Sequence, residues 1–566
     1  MERNKIIILV IAVFSISSVH AQQSVHTSNT LAMPSAVQYA WQKQGRIMFV
    51  ALDPATWEGR EYDNHSIPLS RINPKQLSTD QWCRVARSWG AKEILFVAKH
   101  TGGFCWWQTR TTNYGIRNTP WNNGKGDVLK ELSASCKKYG LNLGVYLSPA
   151  DETWGVGIGS GGRTKDPSKQ EAYNKIYRQQ LKEVLTRYGK IIEVWFDGSC
   201  IINVKDILAK YAKNAVILQG PQATIRWVGN EEGIAPYPAW NSVDSSGLKT
   251  GVATAAEGIP DGNTWAPLEC DVPLYNHYWF WAKKNEQKRK SLNDLMEIYY
   301  KSVGRGATML LNSTPDTTGL IPEGDVALYA ALGKEIKRRF AHPLGSVKNR
   351  KGTLTEIDFK KPVSINHAVI IEDYQKGERI RAYEVDGYIQ GQWKQLCDGS
   401  SIGRKRIAHF KNTTVSKVRI HITKSAAEPL LHFFAVYNID HTPELSFTNQ
   451  ADDTNWHYLD TWIPAMLKKG RTSITLNLTP YITHPGQYEV KLEQTSGKDK
   501  LKLLQSELLY EGGKTLPQFL IQKGNVLYID RTSQITNETS IVLMVNFSAE
   551  GGNDCTGNIY IRKLPI

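Results

Sequence analysis

The run Lys190-Ile-Ile-Glu-Val-Trp-Phe-Asp-Gly198 carries a carboxylate, Asp197, to the end of an apolar stretch. The stretch reads as a buried strand, and barrel enzymes keep reactive groups at the C-terminal ends of their strands. Trp195 and Phe196 stand beside the charge and offer apolar faces to a substrate. Asp197 is therefore the first candidate for a nucleophile. Hydrolysis of a glycosidic bond needs a second carboxyl group across that bond, so that one is ionised and one protonated. Four residues could supply it. Glu231 and Glu232 lie in Arg226-Trp-Val-Gly-Asn-Glu-Glu-Gly233, and Glu269 and Asp271 in Trp265-Ala-Pro-Leu-Glu-Cys-Asp271. Residue type and position alone do not choose among them.

A repeated cassette of amphipathic helix, glycine stop and apolar strand positions these groups. A helix over Thr79–Trp89 puts Trp82, Val85, Ala86 and Trp89 on one face and stops at Gly90, before a strand over Glu93–Lys99. Asp127 caps a second helix, which runs to Tyr139 and stops at Gly140, before a strand over Asn142–Leu147. A third helix, Pro167–Tyr188, stops at Gly189 ahead of the strand that leads to Asp197. Later, a helix over Ser291–Val303 precedes a strand over Ala307–Asn312. Strands alternating with helices predict a parallel sheet. The expected fold class is α/β plus all-β: an N-terminal (β/α)-barrel, TIM-like, followed by C-terminal β-sandwich domains. An open doubly wound sheet is the alternative. No GxGxxG follows any of these strands, so a dinucleotide site lacks support. In a barrel, His100, Tyr146, Asp151, Glu152 and Asp197 would share one rim, although each strand-end residue alone could equally be a packed side chain or a cap.

Bulk properties agree. The chain has 566 residues, of which 41% are hydrophobic and 22% charged, enough for more than one core. Its net charge of +15 is spread rather than blocked, which predicts a solvated basic surface and no nucleic-acid partner. Arg3 and Lys5, the apolar Ile6 to Ile16 and the small-residue site at Val19-His20-Ala21 predict a signal peptide over residues 1–21. The protein is therefore expected to be exported, periplasmic or secreted. That apolar stretch is too short to span a membrane, and no later one resembles a span. The seven Cys are scattered without a CxxC pair, which predicts mostly buried thiols and no metal site. From residue 343 the pattern changes to short β-rich runs, among them Ile380–Ile389, Lys417–Ile422 and His432–Tyr437. The expected domains are a barrel over 22–342, a sandwich over 343–440 and a second β-rich domain over 441–566.

Several motifs, taken together, resemble the α-L-fucosidase family, glycoside hydrolase family 29. They are Ala-Lys-His-Thr-Gly-Gly-Phe-Cys-Trp-Trp at 98–107, Asn118-Thr-Pro-Trp121, Gly144-Val-Tyr-Leu-Ser-Pro149, Glu193-Val-Trp-Phe-Asp-Gly198, Arg226-Trp-Val-Gly-Asn-Glu231, Glu269-Cys-Asp271 and Leu310-Leu-Asn312. The resemblance implies a retaining exo-glycosidase without metal or organic cofactor. Asp197 would be the nucleophile and Glu231 the acid/base, with Glu232 in reserve. His100, Tyr146, Trp195, Glu61 and Trp107 would contact the sugar. The Gly-Asn-Glu motif resembles the branch that prefers α-1,3/1,4-linked fucose, so the expected substrate is a fucosylated oligosaccharide or glycan. The segment Trp393–Gly403 resembles the discoidin-like sandwich appended to such enzymes. Ala51 stands where the family has a sugar-binding His, and Thr101 where it has the second His of a pair. A family Arg is not evident near Leu274–Tyr278, where His277 is the nearest substitute. These departures keep two alternatives open: the same chemistry on a related L-sugar such as an α-L-galactoside, or a degenerate barrel that only binds carbohydrate.

Overall fold

The computed structural model describes residues 31–248 and 257–440, and 457–564 apart from 463–466, 468–470, 479–481, 483–485, 511–513, 516–518, 532–540 and 551–554. The expected signal peptide lies outside the described residues.

Eight parallel strands form the first sheet: β1 (Arg46–Val50), β2 (Glu93–Lys99), β3 (Asn142–Leu147), β4 (Ile191–Trp195), β5 (Val216–Leu218), β6 (Arg226–Trp227), β7 (Leu268–Val272) and β8 (Thr308–Ser313). Their order is β5-β4-β3-β2-β1-β8-β7-β6. A parallel bridge between Leu218 and Ile225 joins the two ends of that row and brings the sheet round to a barrel. The open doubly wound sheet is thereby excluded. Almost every strand residue is buried, because barrel strands face side chains on one side and helices on the other.

The helices follow local rules. α1 (Ala36–Gln44) starts with a capping box between Ser35 and Gln38. α2 (Thr79–Trp89) starts where Ser78 accepts the Gln81 N–H, and α3 (Val128–Tyr139) where Asp127 accepts the Lys130 N–H. Gly90 and Gly140 end these two in the left-handed conformation, which glycine adopts without a Cβ penalty. α4 (Gln170–Arg187) and α5 (Lys205–Tyr211) flank β4, and α6 (Leu292–Lys301) and α7 (Glu323–Phe340) flank β8. Trp82 and Trp89 of α2 are fully buried, so truncating either to Ala would cost about 3–5 kcal/mol. No regular helix separates β5 from β6, and this shortcut makes the barrel irregular.

Beyond the barrel, β9 (Gly345–Lys351), β10 (Leu354–Glu372), β11 (Ile380–Ile389), β12 (Gln392–Gly399), β13 (Arg406–Ser425) and β14 (Leu430–Tyr437) form an antiparallel sheet ordered β9-β14-β10-β13-β11-β12. Register shifts in the long β10 let it curl over one core that includes Ile365, Ile370, Tyr383, Val418 and Phe434. Two further antiparallel sheets occupy the C-terminal part. They share a core with Trp462, Val490, Leu543 and Phe547. All seven Cys are free thiols, and six of them are buried.

Candidate active site

One cavity of about 150 Å³ opens at the C-terminal ends of the barrel strands. Asp197 lines it, two residues beyond the end of β4. Gly198 and Ser199 follow with φ of 70° and 73°, so the chain turns sharply and leaves the carboxylate on the rim. Tyr146 on β3 donates its hydroxyl to Asp197 Oδ2 at 2.8 Å. Burial raises the Asp197 pKa above the ordinary carboxylate value, while the Tyr146 hydroxyl and the Gly198 N–H oppose that rise.

The four rival carboxyl groups separate in space. Glu231 lines the cavity, on the loop after β6. Burial pushes its pKa up to about 7; the Trp279 indole opposes this and the charge of Asp197 adds to it. Its Oε2 is buried with no hydrogen-bond partner among the described residues. Asp271 also lines the cavity, but it accepts the Trp227 indole N–H at 2.6 Å and is held well above its usual pKa, chiefly by burial. Glu269 supports the wall from behind. It accepts the Trp195 indole N–H at 2.8 Å and fixes that ring against the cavity. Glu232 turns away and lines a separate groove with Asn276 and Lys290.

Most of the expected sugar contacts converge. His100 stacks near Tyr62, with ring centroids 6.0 Å apart, and meets Phe280 at 4.8 Å. Burial lowers its pKa to about 3, so the imidazole is neutral. Thr101 lies 3.4 Å from His100 Nδ1 through its hydroxyl. Glu61 accepts the Trp279 N–H at 2.7 Å through Oε1, while its buried Oε2 has no partner among the described residues. Burial pushes its pKa up to about 8, and the charge of Glu231 contributes. Glu61 is then a neutral acid near pH 7, able to donate one hydrogen bond and accept another. Tyr146 and Trp195 complete this part of the wall.

Trp107 does not belong there. Its ring is fully buried, and its indole donates to Glu183 of α4 at 2.9 Å, on the side that faces the helices. The neighbouring Trp106 is equally buried, against Trp57 and Phe104. Both rings serve the core. Asp151 is likewise absent from the rim, since it forms a buried ion pair with Lys99 at 3.1 Å. His277 is exposed and outside the cavity lining, so it does not replace the missing family Arg. Ala51 is buried in a cluster with Phe49, Tyr146 and Trp195. Sequence reasoning missed Tyr62, Gln219, Trp227, Trp279 and Phe280 as wall residues. The density of aromatics from Tyr275 to Trp281 was the available signal for the last pair. Asn312, at the end of β8, donates to the Trp279 carbonyl at 2.8 Å and holds that aromatic run over the cavity.

Two carboxyl groups in an aromatic cavity at the mouth of a barrel suit glycoside hydrolysis. Comparison with known proteins decides the family, for the α-L-fucosidase family model matches residues 17–339. The chain belongs to the α-L-fucosidase family. It is 29% identical to Alpha-L-fucosidase 1 of Arabidopsis thaliana over 478 residues, covering 75% of this chain and 92% of that protein. A glycoside hydrolase 29 family member from an unknown rumen bacterium superposes with a TM-score of 0.66 at 25% identity, covering 94% of this chain and all of that one. A Ruminococcus gnavus GH29 fucosidase solved with fucose gives a TM-score of 0.64 at 26% identity, covering 72% and 95% of the two chains. Membership makes the chain a glycoside hydrolase with α-L-fucosidase activity. Among the described residues no group of three His, Cys, Asp or Glu side chains is placed to hold a metal ion, and no helix is long and apolar enough to cross a membrane.

Proposed function

We propose that the chain is an exported, retaining exo-α-L-fucosidase in which Asp197 is the nucleophile and Glu231 the acid/base, acting on α-1,3/1,4-linked fucose of oligosaccharides or glycoconjugates. The observation that carries this reading is that Asp197 and Glu231 line one cavity in environments that separate their protonation. Asp197 has a hydroxyl and a backbone N–H to stabilise its charge, whereas Glu231 is buried and raised by that charge. Near neutral pH a large share of Glu231 holds its proton, while the Tyr146 hydroxyl and the Gly198 N–H favour the ionised form of Asp197. Divergent environments of this kind assign base and acid.

In the first step Asp197 attacks the anomeric carbon of bound fucose. The bond to the leaving oxygen breaks, and that oxygen takes the proton of Glu231. In the second step Glu231, now a carboxylate, removes a proton from water. The water oxygen displaces Asp197, and fucose leaves with its anomeric configuration retained. Neutral His100 and protonated Glu61, which line the cavity, would bond sugar hydroxyls, and Phe49, Trp195 and Phe280 would cover apolar parts of the ring. The linkage preference is supported by the Gly229-Asn-Glu231 motif, and export by the residues at 1–21. The intact carboxyl pair weighs against a degenerate, purely binding barrel.

Proton NMR of early turnover on an aryl α-L-fucoside tests the mechanism. The α-anomer is expected as the first product, and β-fucose appearing first would overturn it. A panel of α-1,2-, α-1,3-, α-1,4- and α-1,6-fucosylated oligosaccharides tests the linkage, and fastest turnover outside the α-1,3/1,4 pair would remove that preference.

A further inference from the structure

The loop that carries Glu231 leaves the barrel at Trp227 and runs on to Asn241. Its near limb is held locally. Asn230 accepts from the Glu232 N–H at 3.1 Å through its side-chain oxygen, and donates to the Ile234 carbonyl at 2.9 Å. Its far limb is gripped by the six-stranded β-domain. The Tyr237 hydroxyl accepts the Ser400 N–H at 2.9 Å, and the Arg406 guanidinium lies 3.8 Å above the Tyr237 ring. The Ala239 N–H donates to Ser401 Oγ at 3.0 Å. Asn241 gives both its backbone N–H, at 2.8 Å, and its side-chain amide, at 2.6 Å, to the two oxygens of Glu378. Glu378, Ser401, Ala239 and Asn241 are all buried.

The grip returns to the strand that starts the loop. Arg226, the first residue of β6 and fully buried, donates to the Trp240 carbonyl at 2.5 Å. Burial lowers its pKa to about 10, and the Glu378 carboxylate opposes that fall. The start and end of the loop are thus tied to each other and to one carboxylate of the neighbouring domain. Such an arrangement leaves the loop little freedom, because each donor released from it would be buried without a partner. Proton delivery is sensitive to placement: an error of about 1 Å at a catalytic group can cost on the order of 100-fold.

We infer that the six-stranded β-domain is a working part of the active site, with Glu378 and Ser401 as positioning residues that hold the Glu231 loop in register with the leaving oxygen. The inference rests on the reading of Glu231 as the acid/base. It gives the domain a role in bond cleavage, in contrast to binding glycan or bracing the barrel.

The test compares two leaving groups in the full-length chain. Dinitrophenolate departs without a proton, so a dinitrophenyl α-L-fucoside does not need Glu231 in the first step, whereas a methyl α-L-fucoside does. Glu378→Gln and Ser401→Ala are expected to lower kcat/KM for the methyl fucoside by about 10–100-fold, and for the dinitrophenyl fucoside by less than about threefold. Equal losses on both substrates would mean plain destabilisation and would overturn the inference, as would no loss on either. Ser401→Ala removes one oxygen, so it carries the test if Glu378→Gln does not fold. Glu231→Ala is the reference. If it lacks the leaving-group dependence, the acid/base assignment itself fails and the inference falls with it. If it shows the dependence and the two β-domain variants do not, only the inference fails.

Discussion

Asp197 extends from a strand flanked on both sides by barrel strands, and its hydrogen-bond partner, Tyr146, belongs to the strand beside it. Glu231 sits on a long loop whose far limb is held by Glu378, Ser400, Ser401 and Arg406 of another domain. One carboxyl group is placed by the sheet, the other by a clamp. A barrel positions a group at a strand end through backbone pairing with the adjoining strands, which is rigid. A loop group needs contacts from outside, which lie far away in sequence. The pair Asn241–Glu378 is separated by 137 residues and the pair Ala239–Ser401 by 162.

Substitutions can break this contrast. The largest effect is expected at the strand end: Asp197→Ala should lower kcat on the order of 10⁴-fold or more on every fucoside, whatever the leaving group. Steady-state rates across aryl and alkyl fucosides check this, and a loss confined to alkyl substrates would make Asp197 the acid. Glu231→Ala comes next, with about 10²–10⁴-fold lost on substrates with poor leaving groups, and azide should restore turnover of activated substrates as fucosyl azide. Tyr146→Phe removes one hydrogen bond to a charged group, worth about 1.5–3 kcal/mol. It should cost roughly 10–100-fold in kcat/KM and move the acidic limb of the pH–rate profile upward, because Asp197 would lose a partner of its ionised form. An unmoved limb would separate Tyr146 from the nucleophile.

Two smaller effects sharpen the line between site and core. Trp107→Phe leaves Glu183 without its buried donor and should lower stability by about 1–3 kcal/mol, while KM for an aryl fucoside stays as it was. A KM change without a loss of thermal stability would return Trp107 to the cavity. The pH dependence of stability has a defined sign. Glu61 and Glu372 titrate at about 8 and Glu231 at about 7 in the folded chain, against ordinary values of 4.5. The folded protein keeps protons that the unfolded chain releases, so this contribution is full below 4.5 and is lost as pH rises through 7 to 8. The buried His100, lowered to about 3, works in the opposite direction, but only below its ordinary value of 6.5. Tm is therefore expected to fall between pH 6.5 and 8, from a stability loss on the order of 3 kcal/mol. Calorimetry across that window checks it, and a rising Tm would contradict the buried state of these carboxyls.

The same contrast separates what the sequence discloses from what it conceals. Helix periods, caps and glycine stops recover Thr79–Trp89, Glu93–Lys99 and Asn142–Leu147 to the residue, because each boundary is set by neighbours in the chain. The position of Asp197 follows from its strand. Trp107 escapes sequence reasoning because it lies in the irregular segment after β2, where no periodic pattern shows which way a side chain faces; only its bond to Glu183 settles that. Glu231 and Glu232 are adjacent, and nothing local says that one faces the cavity and the other a separate groove. Tyr62, Trp279 and Phe280 reach the wall through loops whose course is fixed by Glu61 and Asn312. Glu378 belongs to a stretch with no catalytic pattern at all, and its connection to the site exists only in three dimensions.

Trapping the covalent intermediate tests the central claim most directly. The chain would be incubated with a 2-deoxy-2-fluoro-fucosyl fluoride, digested, and the labelled peptide mapped by mass spectrometry. A single fluoro-fucosyl group on Asp197 is the predicted result. A label on Glu231, Asp271 or any other carboxyl group would contradict the account.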